Sequence, residues 1–146
     1  MNTDDTYDLK RFLSAQEGVY ERALAELKGG QKRTHWIWFI FPQIDGLGYS
    51  PTAKRYSIKS MEEARQYLDD TVLGKRLLEC TEAVIALKGG SVSEIFGYPD
   101  DLKFKSSMTL FEKIAGRGSV FSFALDKYCH GERDARTLRL LAGPIS

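Results

Sequence analysis

The residues from Lys32 to Ser50 concentrate the chemically capable side chains of this chain. The first ten, KRTHWIWFIF, hold two cations, a histidine, two tryptophans and two phenylalanines, and PQIDGLGYS follows at once. Lys32, Arg33 and His35 stand at the start of a predicted helix. The first N–H groups of a helix lack intrahelical partners and carry partial positive charge, so added cations suit phosphate or carboxylate. His35 is of the type that moves protons near neutrality. Trp36 and Trp38 are two apart, so on a helix they point to different sides, and at most one is expected to face a ligand, stacking on a flat ring. Gln43 can donate and accept at once. Asp45 is the carboxylate within this run that could activate water. Gly46 and Gly48 permit close approach of backbone amides to an oxyanion. Ser50-Pro51 has the form of an N-cap followed by proline at N1, with Arg55 one turn on as a phosphate clamp.

A second polar cluster is Lys103-Phe104-Lys105-Ser106-Ser107-Met108-Thr109. Lys103, Ser106, Ser107 and Thr109 suit phosphate or sugar contacts. Each candidate has a structural alternative: a solvated basic turn, core tryptophans, Asp45 as an ordinary turn residue, Arg55 in an exposed ion pair, and capping hydroxyls at a helix start. No Ser–His–Asp arrangement is evident. His35 and His130, the two histidines, form no metal-ligand spacing with cysteines or carboxylates, so neither a metal nor a cofactor is expected.

The elements that must position these groups are helical. Leu9, Phe12, Leu13, Val19, Tyr20, Ala23, Leu24 and Leu27 fall on one stripe, with Asp8 as N-cap and Gly29-Gly30 as the stop. Ser60 with Glu63 and Ser91 with Glu94 form capping-box patterns. Thr71 caps a helix carrying Leu73, Leu77 and Val84, and Asp134 caps the last helix, through Leu138 and Leu141. His35 to Phe41 fits a buried strand or two helical turns. Thr34 could cap such a helix and Pro42 end it, and a strand would lack a partner, so helix is favoured.

The expected fold is all-α, a compact multihelical bundle forming a single domain over residues 1–146. At 146 residues with 28% charged residues the chain can bury a core, and a net charge of +1 argues against a duplex-DNA binder. The polar start MNTDDTYDLKRF is not a signal peptide, no apolar run suits a bilayer, and two distant cysteines make no disulfide framework. A cytoplasmic setting is the default expectation. Nothing in the pattern specifies an oligomeric state.

Asp8-Leu9, Arg11-Phe12, Ala15-Gln16, Tyr20 and Ala23-Leu24 precede the run from His35 to Ser50. Tyr67-Leu68, Leu73-Gly74, Arg76-Leu77, Ile95-Phe96-Gly97, Asp100, Leu102-Lys103 and Ser106 to Phe111 follow it. Together these resemble the DUF1810 family, defined as being of unknown function, along essentially the whole chain. The resemblance implies a multihelical domain and no particular reaction. The calpastatin label carried by some members is not transferred, because such inhibitors are long and disordered whereas this chain has a core.

Three functions remain open on this reading. One is an enzyme that binds a phosphate-bearing, nucleotide-like ligand of the ADP-ribose or NAD type and hydrolyses a glycosidic or phosphoester bond. There Asp45 orients water, His35 shuttles a proton, and Lys32, Arg33 and Arg55 hold phosphate. The second is a ligand-sensing module that uses the same pocket without chemistry. The third is a protein-interaction domain whose tryptophans are core.

Overall fold

In the computed structural model, which describes residues 5–143, the apolar stripes become ten helices. They are α1 Lys10–Gln16, α2 Tyr20–Lys28, α3 Ile37–Ile40, α4 Pro51–Arg55, α5 Met61–Asp69, α6 Leu73–Ile85, α7 Val92–Phe96, α8 Asp100–Ala115, α9 Val120–Tyr128 and α10 Ala135–Ala142. The all-α expectation holds. Among the described residues there is no strand, and one isolated parallel bridge joins Ile44 to Ile58. Residues 1–4, which open the polar N-terminal stretch, and 144–146 lie outside the described residues.

The core is organised around α8. Phe104 and every residue from Ser106 to Glu112 are buried, the signature of a helix enclosed on all sides. It packs against α5, α7, α9, α10 and α3. Phe96 stacks on Phe104 at 4.6 Å between centroids, and Phe41 meets Phe104 edge-on at 5.1 Å. α6 joins this layer to α2 and α5. Gly74 makes the last junction possible: a Cβ there would lie 2.0 Å from the Leu68 carbonyl oxygen. Cys80 and Cys129 are buried free thiols, Cys80 within α6 as expected, and burial pushes the Cys80 pKa up to about 12.

Several caps follow the sequence patterns. Ser50 accepts from Ala53 N, Ser91 and Glu94 form a full capping box, and Asp134 accepts from Thr137 N. Ser60 makes half of its expected box, because Glu63 turns instead to Lys59 N and Arg11. Four expectations are corrected. The Leu9–Leu27 stripe is two helices, because Gly18 sits at φ +75° between them. Asp8 is itself left-handed, at φ 54°, and the Asp5 carboxylate takes Leu9 N and Lys10 N in its place. Asp70, not Thr71, serves the start of α6 by accepting from Val72 N and Leu73 N. Ser106 and Ser107 lie mid-helix rather than at a helix start, and Ser106 and Thr109 return their hydroxyl protons to carbonyls of the preceding turn.

A buried guanidinium ties α1 to the segment that follows the polar run. All five N–H groups of Arg11 are used, on the carbonyls of Tyr7, Asp8, Arg55 and Ser57 and on Glu63 Oε2 at 2.7 Å. Both Arg11 and Glu63 are buried. Removing one partner of such a pair strands the other without its countercharge. Glu63→Ala is expected to lower the unfolding free energy by about 3 kcal/mol, measured by urea denaturation at neutral pH.

Candidate functional site

Glu26 fixes the start of the Lys32–Ser50 run. Its carboxylate accepts from Arg33 N, Thr34 N, Thr34 Oγ1 and Trp36 Nε1, at 2.7 to 3.1 Å. Thr34 is thereby occupied, and α3 begins at Ile37 rather than at His35. Burial alone would raise the Glu26 pKa. The converging donors outweigh it and hold the carboxyl at about 2, against an ordinary 4.5. A short turn then separates the tryptophans as their spacing requires: Trp36 is fully buried, while Trp38 is half-buried.

Trp38 borders a cleft of about 420 Å³ between the Leu47–Ser50 loop with α4 and the first turns of α8 and α10. Lys103 Nζ stands 4.8 Å from the Trp38 ring centroid and 3.4 Å from Asp100 Oδ1. Gln43 Nε2 donates to Ser106 Oγ at 2.5 Å. Gln43 is set in place by its own backbone: its carbonyl accepts from Ile58 N, and Asp45 N donates to the Ile58 carbonyl, both at 2.8 Å. Gly48 is required by packing, since a Cβ there would lie 2.8 Å from that of Ala53. Ser50 lines the same cleft while capping α4.

The far wall comes from the α10 end of the chain. Asp134 and Arg136 line the cleft. Thr109 is wholly buried beneath them, and its hydroxyl accepts from Asp134 N at 2.9 Å. It supports the wall from within and does not line the cleft. Ser107 is also fully buried, with an unpartnered hydroxyl, and does not line the cleft.

Of the expected residues, Trp38, Gln43, Gly48, Ser50, Lys103 and Ser106 converge on this cleft. Others do not. Lys32 is spent on Asp100 at 2.8 Å, beside the Trp36 ring. Arg33 and His35 are exposed away from the cleft. Asp45 accepts from Ser57 Oγ at 2.9 Å, with Lys59 Nζ 3.9 Å away. Gly46, at φ +107°, turns toward Leu140 of α10. Arg55 borders a different concavity with Arg11 and Lys59. The cations massed in sequence around residue 32 therefore do not build an anion site with this loop. Asp134, Arg136 and the exposed Tyr49 join the cleft instead. Asp134 was legible as a cap, but nothing local in the sequence links α10 to α8.

An interaction domain with both tryptophans and the glycine loop buried, and no adjoining cleft, is not what this geometry presents. Among the described residues, no three His, Cys, Asp or Glu side chains group to hold a metal ion, and no helix is long and apolar enough to cross a membrane.

Residues 6–141 match the profile of a family described as "Protein of unknown function (DUF1810)". Among solved structures, the fold is similar to that of the conserved hypothetical protein Rv1873 from Mycobacterium tuberculosis. The TM-score is 0.93 at 52% identity, over 96% of this chain and 100% of that one. No curated protein matches.

Two measurements test this geometry. The Glu26 carboxyl titrates lower in the folded chain than in the unfolded one. Its contribution to stability is complete above pH 4.5 and lost as the pH falls from there toward about 2. Glu26→Gln is expected to be less stable at pH 7 and to show a shallower acid limb across that window, read from denaturation curves at successive pH values. Acrylamide quenching is expected to resolve one shielded and one accessible tryptophan, and Trp38→Phe to abolish the accessible component.

Proposed function

The chain belongs to the DUF1810 family, and we propose that its cleft binds a small, phosphate-bearing, nucleotide-like molecule without performing chemistry on it. One observation carries this reading: a half-buried tryptophan face, two cations and a side-chain amide border one concavity of about 420 Å³. That volume lies within the range of about 300–1,000 Å³ common to small-molecule sites. Trp38 offers a stacking surface for a flat ring. Lys103 is shared with Asp100 and supplies partial positive charge. Arg136 is exposed, its side chain makes one long hydrogen bond among the described residues, to the Gly46 carbonyl at 3.5 Å, and such a guanidinium can fork onto a phosphate.

Recognition is favoured over hydrolysis by the placement of the two side chains chosen for catalysis. Asp45 faces Ser57 and Lys59, and His35 is exposed elsewhere. Neither lines the cleft that Trp38 borders.

Titration with ADP-ribose and with NAD, followed by tryptophan fluorescence and calorimetry, tests the proposal. Saturable quenching of the Trp38 signal is expected. Arg136→Ala should weaken binding about tenfold or more, as loss of a charge-assisted contact does. Asp45→Ala and His35→Ala should leave affinity intact. Absence of heat and of quenching with every nucleotide tried would overturn the reading.

A further inference from the structure

The cleft wall contains hydrogen-bond acceptors that a phosphate cannot satisfy. Asp134 Oδ2 accepts from Thr137 N at 2.9 Å and Thr137 Oγ1 at 2.6 Å, while Oδ1 has no protein partner among the described residues. The backbone of Asp134 is held by the buried Thr109 hydroxyl, so the carboxylate is fixed where it borders the cleft. The Gln43 amide spends an N–H on Ser106 and leaves its oxygen unpaired among the described residues.

Free inorganic phosphate would meet Lys103 and Arg136 but be repelled by Asp134. A ligand bearing an amine for Asp134 would be opposed by the same two cations. A neutral hydroxyl has neither conflict. It donates to a carboxylate in a charge-assisted bond and leaves the anionic end of the molecule for Arg136. We infer that the ligand carries a hydroxylated sugar between its ring and its phosphate, and that Asp134 reads the sugar hydroxyls. This rests on the cleft being a nucleotide-like site, and it names the part of the ligand that sets specificity.

Asp134→Asn suits the test, because asparagine caps a helix as well as aspartate while placing a donor where the free carboxylate oxygen stood. Binding of 5′-AMP and of its 2′,3′-dideoxy counterpart is measured by calorimetry on the wild type and on Asp134→Asn. The wild type is expected to prefer 5′-AMP by about tenfold or more. Asp134→Asn, which keeps at most a neutral hydrogen bond to a hydroxyl and no longer repels the phosphate, is expected to narrow that preference severalfold and to bind the dideoxy compound at least as tightly as the wild type does, which also shows that the variant is folded. Equal binding of the two nucleotides by the wild type overturns the sugar assignment and leaves the cleft reading standing. A preference that survives undiminished in Asp134→Asn overturns the role of Asp134. Failure of the wild type to bind either nucleotide removes the cleft reading and this inference with it.

Discussion

The five-fold engagement of the Arg11 guanidinium is the constraint on which the rest of the arrangement hangs. A planar fork with all donors committed admits little variation in the position of its acceptors. Those acceptors belong to the turn before α1, to the last residue of α4, to the α4–α5 connection and to α5. Once the carbonyls of Arg55 and Ser57 are fixed, Ile58 is fixed beside Ile44. That bridge sets the backbone of Gln43, and Gln43 reaches Ser106 on the central helix. A buried ion pair at one end of the molecule thus sets a side-chain amide at the cleft.

A second polar anchor acts on the neighbouring segment. The Glu26 carboxylate collects three donors from the consecutive residues Arg33 and Thr34 and a fourth from the indole of Trp36. It holds the Arg33–Trp36 turn against α2, so that the short helix that follows presents Trp38 outward. Both anchors satisfy backbone groups that secondary structure leaves over. That is why an all-helical chain with long irregular connections can still place its side chains.

What the sequence reveals divides along physical lines. Local signals are legible: the serine before Pro51, the Ser91–Glu94 box and the Asp134 cap all depend on residues within four positions of one another. The break at Gly18 is hidden because the apolar stripe resumes in phase after it. Thr34 has the chemistry of a cap, but a carboxylate eight residues earlier captures it. The hydroxyls from Ser106 to Thr109 resemble a helix start in composition, yet back-bonding makes those of Ser106 and Thr109 compatible with the middle of a buried helix. The candidate site shows the same divide. Residues 38 to 50 and Lys103 with Ser106 can be selected by type. Arg136 enters only through packing of α10 on α8, and Lys32 leaves only because Asp100 is near in space. Density of charge along a chain is a poor guide to density of charge in a fold.

The cleft has a rigid floor and two lightly held sides. α8 buries eight of its residues, whereas α4 buries none and α10 buries Thr137 alone. Local opening costs least where little apolar surface must be exposed. The peptide amides of α4 and α10 should therefore exchange with solvent through small fluctuations that leave α8 protected. Entry and exit of any guest then require only the fraying of these two flanks, at a small fraction of the cost of global unfolding.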